Sequence, residues 1–250
     1  MKNLESIFEE NYKVNSININ TNKKLGLFGL LQILQDIASE HALKLGFGYE
    51  SSIEKGFFWV LTRQKLQMDT WPCLDDTITI KTWTKPVIDF YAIREYEIFL
   101  NHNKIGACST SWMILDSKTR RPKKIENTES LFKPRKDYSL DFIAEKIILP
   151  KEIGATKMFE VRISDLDMNN HVNNVKYTQW VLDSIPFNYH KLFRVKEYEI
   201  NFSAETFLDD KIEIHSNINN LESNSNHELF FKGNRLKDSK VVFTARMLTK

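Results

Sequence analysis

The chain has 250 residues, of which 42% are hydrophobic and 27% charged, and this composition suits one large globular domain or two smaller ones. Its 35 lysines and arginines nearly balance 33 aspartates and glutamates, which argues against a nucleic-acid-binding protein, because such proteins carry a strongly basic face. Two cysteines cannot form a disulfide framework, and three glutamates among the first ten residues argue against a signal peptide. We therefore expect a cytoplasmic protein without a membrane span.

Helical and strand-like patterns follow one another twice along the chain. Residues 25–45 carry leucines at three- and four-residue spacings, which predict an amphipathic helix ended by Gly46. A second helix is predicted over 174–184, and it ends before Pro186. Runs rich in β-branched and aromatic residues predict strands at 59–69, 77–83, 89–100, 106–116, 195–205, 210–219, 228–236 and 240–249.

The repeated order of elements is accompanied by a repeated sequence. Residues 74–80 match residues 208–214 at an offset of 134, and the same offset places Thr110 on Thr244. Ahead of the helices the offset is 147. These matches predict a duplicated helix-plus-sheet unit. The economical arrangement of each unit is an antiparallel sheet wrapped around its helix, so the fold class is α+β.

The duplication predicts two domains. We expect an N-terminal domain over 1–130, a linker over 131–150 and a C-terminal domain over 151–250. The connecting segment between residues 116 and 137 has eight basic and four acidic residues, which is the strongest charge asymmetry in the chain.

The segment before the second helix is the densest in reactive side chains, with two carboxylates, four amides and a histidine. In extended or turning backbone, a spacing of two would place Asp167, Asn169 and His171 on one side. Asn173 or Asn174 would cap the helix, whose N-terminal N–H groups favour a developing oxyanion. The alternative is structural: the polar side chains form turns, an asparagine caps the helix and the histidine is part of the turn.

Here the sequence resembles a known family. SDLDMNNHVNNVKYTQWVLDSIP is similar to the signature of the acyl-acyl carrier protein (acyl-ACP) thioesterases of plants and bacteria, which hydrolyse the thioester of finished fatty acyl chains. Four stretches of the first half also resemble the family: NTNKKLGLFGLLQILQDIASEHALKLGFG, GFFWVLTRQKLQMDTWP, FYAIREYEIF and STSWMILDSKTRRPKKI. The resemblance implies two fused hot-dog domains and a thioester hydrolase. The six histidines are scattered and no cysteine pairs accompany them, so we expect water as the only co-reactant, with neither cofactor nor metal.

The resemblance also implies a set of catalytic residues. The family's catalytic Asp, Asn and His fall on Asp167, Asn169 and His171, and its catalytic Glu falls on Glu205. The family often has a cysteine after that Glu, where this chain has Thr206. We therefore expect carboxylate chemistry. Asp167 or Glu205 activates water or attacks to give an acyl anhydride, and we prefer activated water. Asn169 would orient the water or the thioester, and His171 would supply a proton to the departing thiol.

The first half lacks the histidine, because it has Asn22-Lys23-Lys24-Leu25 where the second half has Asn169-Asn170-His171-Val172. We therefore expect one active site per chain. The resemblance implies that the first unit supplies most of the acyl-chain pocket instead, and we also expect Asn173 and Asn174 to contact substrate at the helix start.

Acyl carrier proteins are acidic, so the basic connector is a candidate docking surface, although a solvated linker would have the same composition. The predicted docking residues are Arg120, Arg121 and Lys124. Two other functions remain open, an acyl-coenzyme A thioesterase and a non-catalytic acyl-thioester-binding protein. An acyl-thioester dehydratase or hydratase would need a histidine followed by a Gly-x-Pro turn, which neither His41 nor His102 has. We expect no nucleic-acid partner, and either a monomer or a homodimer.

Overall fold

The computed structural model describes residues 6–124, 133–151, 153–218 and 227–250. It divides into two compact units, Met1–Ala144 and Glu145–Lys250. The boundary between them falls inside the linker predicted over 131–150, of which residues 131–132 lie outside the described part. The predicted domain limits themselves stay a prediction.

The first unit combines one long helix with an antiparallel sheet. Its helices are α1 (Leu27–Lys44) and α2 (Tyr49–Glu54), and its strands are β1 (Ile7–Lys13), β2 (Phe57–Met68), β3 (Thr77–Thr84), β4 (Ala92–Leu100), β5 (Asn103–Asp116) and β6 (Pro122–Lys123). The strand order is β1-β3-β4-β5-β2, with β6 paired to β5. The leucine stripe of α1 is buried, as its spacing predicts.

Helix α1 also carries a buried histidine. The His41 ring stacks on Phe8 of β1 with 5.4 Å between ring centroids, and its Nδ1 lies 2.8 Å from Nη1 of Arg94 in β4. Burial, followed by the positive charge of Arg94, lowers the pKa of His41 to about 3. The imidazole is therefore neutral inside the first unit.

The second unit repeats this architecture. Its strands are β7 (Ala155–Glu160), β8 (Val195–Phe202), β9 (Lys211–Ser216), β10 (His227–Arg235) and β11 (Lys240–Thr249), and its helices are α3 (Asn174–Asp183) and α4 (Phe187–Leu192). A short 3₁₀ helix covers Ile163–Asp165. The strand order is β7-β9-β10-β11-β8. Helix α3 lies on this sheet through Tyr177, whose ring is 5.6 Å from Phe202 in β8 and 5.5 Å from Phe243 in β11.

Strand pairing agrees with the sequence offsets at one end of each sheet. Lys13 pairs with Thr77 in the first unit, and Glu160 pairs with Lys211 in the second. These partners are related by the offsets of 147 and 134. The two sheets therefore share both strand order and register.

The predicted match of Thr110 with Thr244 is wrong. In the first sheet Thr110 pairs with Gln64. The offset of 134 relates Gln64 to Tyr198, and in the second sheet Tyr198 pairs with Met247. Thr110 therefore corresponds to Met247. The cause is a longer hairpin before the last strand of the second unit, since residues 236–239 connect β10 to β11 where residues 101–102 connect β4 to β5.

Most predicted elements are confirmed, and both long helices agree within two residues at either end. The predictions missed β1, β6, β7, α2 and α4. Strands β1 and β7 have polar residues on both faces, so their sequences lack the alternation of apolar and polar residues that predicts a strand. No helix in the described parts of the chain is long and apolar enough to cross a membrane.

Candidate active site

The predicted catalytic segment forms a tight turn ahead of helix α3. Asp167 N–H donates to the His171 carbonyl at 2.8 Å. Asp167 Oδ1 accepts from two backbone N–H groups, those of Asn169 at 2.8 Å and His171 at 3.3 Å. Of the extended and turning backbones considered for this segment, the structure has the turn, in which the Asp167 side chain binds its own backbone.

The first unit contains the same turn. Asn20 N–H donates to the Lys24 carbonyl at 2.7 Å, and Asn20 Oδ1 accepts from the backbone N–H of Asn22 at 2.9 Å and of Lys24 at 3.3 Å. Lys23 and Asn170 occupy corresponding positions and both have φ of 59°. An amide oxygen therefore replaces the Asp167 carboxylate in this turn, which means that Asp167 has a structural role independent of its charge.

Each turn is hydrogen-bonded to the loop that follows the last strand in its unit's strand order, β2 in the first unit and β8 in the second. Val172 N–H donates to the Thr206 carbonyl at 2.9 Å, and its counterpart Leu25 donates to the Pro72 carbonyl at 2.8 Å. This bond brings the residues after β8 beside the turn. Glu205 is thereby placed next to His171.

The pair that distinguishes the second unit is His171 and Glu205. Nδ1 of His171 lies 3.7 Å from Oε1 of Glu205, and the two side chains are 21% and 32% exposed. The His171 ring also meets the edge of Phe207, with 5.1 Å between centroids. A half-buried carboxylate beside an imidazole orients the ring and stabilises it when it takes up a proton.

Comparison with known proteins agrees with this geometry. Residues 5–130 match the model of the acyl-ACP thioesterase N-terminal domain, and residues 149–245 match that of the C-terminal domain. The chain belongs to the acyl-ACP thioesterase family. The resemblance found in the sequence is therefore confirmed.

Several curated relatives of this thioesterase-family chain are plant enzymes. The oleoyl-acyl carrier protein thioesterase of Coriandrum sativum is 26% identical over 82% of the chain, and the palmitoyl-acyl carrier protein thioesterase of Arabidopsis thaliana is 27% identical over 83%. The chain spans 61% and 54% of the length of these two relatives.

Solved structures show the same fold. An acyl-ACP thioesterase from Bacteroides thetaiotaomicron superposes with a TM-score of 0.85 at 22% identity, covering 98% of both chains. The 12:0-ACP thioesterase from Umbellularia californica gives a TM-score of 0.87 at 18% identity, covering 99% of this chain and 95% of the other. The α+β, double hot-dog fold class is confirmed.

Thr206 stands where the thioesterase family often has a cysteine. Its hydroxyl hydrogen-bonds the Tyr177 hydroxyl of helix α3, and both side chains are buried. Burial raises the pKa of Tyr177, so its hydroxyl stays protonated. Neither cysteine replaces the missing one in the second unit, since Cys73 and Cys108 both belong to the first. Burial raises the pKa of the Cys108 thiol to about 12.

The asparagines of the segment have different positions. Asn173 is the N-cap of α3, because its Oδ1 accepts from Val175 N–H at 3.1 Å, while Asn174 is the first helical residue. Asn169 is exposed on the turn. Asp167 therefore forms a turn, and Asn173 rather than Asn174 caps the helix. The catalytic role of Asp167 and the contacts of Asn169, Asn173 and Asn174 with substrate stay predictions.

The predicted docking residues are exposed, and the guanidinium of Arg120 lies over the Phe58 ring at 4.9 Å. In the described residues we find no group of three or more histidine, cysteine or carboxylate side chains that could hold a metal ion.

Two residues around the site were missed by sequence reasoning. Tyr177 was assigned only to the helix, and Arg235 lies 30 positions after Glu205, whose carbonyl its Nη1 contacts at 2.6 Å. The available signal was the spacing of Arg235 and Asp238, an ion pair three residues apart in the hairpin between β10 and β11.

Proposed function

We propose that the chain hydrolyses the thioester of fatty acyl-ACP, releasing a free fatty acid and the carrier thiol and so ending chain elongation. Family membership supports the reaction class. The observation that carries the assignment of the site is the 3.7 Å approach of His171, in the turn, to Glu205, in the loop after β8. The first unit has Lys24 and Trp71 at these two positions. One active site per chain follows from the same comparison.

The geometry favours Glu205 as the base that activates water. Asp167 Oδ1 already binds two backbone N–H groups, whereas the Glu205 carboxylate faces the imidazole. Glu205 takes a proton from water as the oxygen attacks the thioester carbonyl. This proton passes from Glu205 to the His171 imidazole. The tetrahedral oxyanion then collapses, the C–S bond breaks, and His171 gives the same proton to the thiolate, so both side chains return to their starting state. Asp167 holds the turn that presents Asn169 and His171.

The start of helix α3 supports the charge that develops in this reaction. Asn173 and Asn174 follow the catalytic turn directly, and the helix N-terminus presents backbone N–H groups with a positive dipole end. These groups favour the oxyanion of the tetrahedral intermediate over the neutral thioester, and such preorganised donors lower the barrier selectively.

The experiment compares thiol release from acyl-ACP substrates of eight to eighteen carbons by wild type, His171→Ala and Glu205→Gln. We expect kcat to fall by about 10²- to 10⁴-fold in both variants, because each removes a proton-transfer group. Lys24→Ala is the matched control, since it changes the corresponding residue of the first unit, and its kcat should stay within about twofold of wild type.

Acyl-coenzyme A substrates with the same chains are included in that panel. Faster release from coenzyme A than from carrier protein would change the substrate assignment and leave the hydrolase intact. Tight acyl-thioester binding without release from any substrate would instead show a binding protein and refute the reaction.

For the carrier partner, we propose docking on the exposed basic residues of the connector. Acidic carrier protein is attracted to such a surface, and screening by salt weakens the attraction. Reversing these charges should raise KM about tenfold at low salt and leave kcat unchanged. The substitutions are Arg120→Glu, Arg121→Glu and Lys124→Glu. An unchanged KM would place docking elsewhere.

Two further points belong to this proposal. We place the reaction in the cytoplasm, in keeping with two free thiols, Cys73 and Cys108. We also propose that the enzyme acts as a monomer or a homodimer, which light scattering of the purified protein distinguishes directly.

A further inference from the structure

The backbone carbonyl of Glu205 has a specific donor in the second unit. Arg235, at the end of β10, donates from Nη1 to this carbonyl oxygen at 2.6 Å. Resting on the function proposed above, we infer that Arg235 is a positioning residue for hydrolysis, which fixes the Glu205 backbone so that the carboxylate stays beside His171.

Arg235 is held rigidly enough for this role. Its guanidinium forms a fork with Asp238, with Nε to Oδ1 at 3.0 Å and Nη2 to Oδ2 at 2.7 Å. Nη1 is also 3.6 Å from Oδ2 of Asp210. The residue is 6% exposed. Paired bonds to a carboxylate restrict both position and orientation of a guanidinium. The bond to Glu205 therefore comes from a fixed donor.

The ionisation of Asp238 agrees with this arrangement. The hydrogen bonds from Arg235 lower the pKa of Asp238 to about 2. The fork therefore keeps its full charge across the neutral pH range in which the thioester would be hydrolysed.

In the first unit a different residue binds the corresponding backbone carbonyl. The counterpart of Glu205 is Trp71, and its carbonyl accepts from Lys24 Nζ at 3.3 Å. Lys24 is the counterpart of His171. In the first unit the residue on the turn thus binds the loop carbonyl itself.

The strand register shows that Arg235 is specific to the second unit. Ile78 pairs with Leu100 in the first sheet, and its counterpart Ile212 pairs with Arg235 in the second. A leucine therefore occupies the position of Arg235 where no histidine and no glutamate are present. Arg235 is thus present in the unit that has His171 and Glu205. Because Arg235 binds the Glu205 carbonyl from β10, the residue at position 171 does not have to bind it, and His171 can face the Glu205 carboxylate.

Loss of Arg235 removes this constraint at a short distance from the reacting groups. The Glu205 carbonyl loses the donor on β10, and Asp210 and Asp238 lose their shared partner. The loop that carries Glu205 is then less restrained. Misplacement of a catalytic group by about 1 Å costs on the order of 10²-fold in rate, so the effect should appear in kcat rather than in substrate binding.

The test uses the full chain and the acyl-ACP assay. Arg235→Leu introduces the residue of the first unit and should lower kcat about 10- to 100-fold with KM within about threefold of wild type. Arg235→Lys keeps a donor, as Lys24 does in the first unit, and should recover part of the loss. Asp238→Asn loosens the fork without removing Arg235 and should give an intermediate decrease; it also serves if Arg235→Leu does not fold.

A double-mutant cycle separates positioning from general stability. If Arg235 acts through Glu205, adding Arg235→Leu to Glu205→Gln should lower kcat no further than Glu205→Gln alone. The matched control is Arg246→Leu, which removes another arginine of the second unit that binds Glu228 at 2.5 Å and Glu199 at 3.4 Å. Its kcat should stay within about twofold, and its effect should add to that of Glu205→Gln.

The outcomes are distinguishable from those for the function itself. Hydrolysis by wild type with full kcat in folded Arg235→Leu or Asp238→Asn would overturn the inference and leave the thioesterase function standing. The inference would also be overturned if the kcat of the Arg235→Leu/Glu205→Gln double variant fell by the product of the two single losses. Absence of hydrolysis by wild type would overturn both.

Discussion

The hydrogen bond between Tyr177 and Thr206 joins helix α3 to the loop after β8, which carries Glu205, and its contribution to stability can be measured. Tyr177 is 3% exposed and Thr206 is fully buried. Tyr177→Phe keeps the ring that packs against Phe202 and Phe243, and it leaves the Thr206 hydroxyl without this partner. A buried polar group deprived of its partner costs about 1–3 kcal/mol. We expect each single variant, Tyr177→Phe or Thr206→Val, to lose about 2 kcal/mol of unfolding free energy.

The double variant is the decisive measurement. Replacing both hydroxyls by apolar groups of similar shape leaves neither group unsatisfied, so Tyr177→Phe/Thr206→Val should be more stable than the sum of the single losses predicts, by about 1–2 kcal/mol. In thermal unfolding, 2 kcal/mol corresponds to a shift of roughly 4–8 °C for a chain of this size. Urea unfolding of the four proteins gives the coupling directly. Strictly additive losses would refute the hydrogen bond as the source of the effect.

The same variants test the chemistry of Thr206. Its hydroxyl is bound to Tyr177 and is not the nucleophile of the proposed mechanism. Folded Thr206→Val should therefore keep kcat within about threefold of wild type, the allowance being for small shifts of the neighbouring Glu205. A loss comparable to that of His171→Ala would show that the hydroxyl takes part in the reaction.

Three further predictions concern stability. Asp167→Asn should unfold within about 0.5 kcal/mol of wild type because Asn20 supports the same turn with an amide, whereas Asp167→Ala removes the acceptor of two N–H groups and should cost about 1–2 kcal/mol in urea unfolding. Because His41 has a folded pKa of about 3 against 6.5 in the unfolded chain, only the unfolded chain binds this proton between those values, and stability falls on acidification. Between pH 7 and pH 5 the free energy of unfolding should therefore fall by about 2 kcal/mol less in His41→Gln than in wild type. A Cβ at Gly106 would lie 2.8 Å from the Gln67 carbonyl oxygen, so Gly106→Ala should lower the free energy of unfolding by about 1–3 kcal/mol. A variant with the melting temperature of wild type would refute this steric argument.

Patterns with a strong period were sufficient to predict the helices and most strands. The leucines of α1 and the alternating residues of β3 and β9 each form one buried face. Because burial of that face stabilises the element, its spacing in the sequence predicts the element. Strands β1 and β7, which were not predicted, are stabilised by pairing with a neighbouring strand rather than by a continuous apolar face. Such pairing depends on a distant partner, which local pattern does not reveal.

The sequence was sufficient to select the segment for which we propose a catalytic role, yet not the division of roles within it. Asp167 and Glu205 are both carboxylates of the family pattern, and the difference between them is what each one faces. Asp167 binds backbone N–H groups of its own turn, and Glu205 faces an imidazole. Arg235 could not be assigned because its contact with Glu205 joins a strand end to a loop 30 residues earlier.

The paired turns at Asn20 and Asp167 also bear on how such a protein changes after gene duplication. Folding requires an oxygen that accepts two backbone N–H groups, and an amide or a carboxylate satisfies that requirement equally. The proposed chemistry depends on other atoms, the imidazole of His171 in the turn and the carboxyl group of Glu205 in the loop after β8. The requirements of folding and of the proposed chemistry therefore fall on separate positions. The first unit has Lys24 and Trp71 in place of this pair and keeps the turn, so these two positions can differ between the copies without loss of the turn.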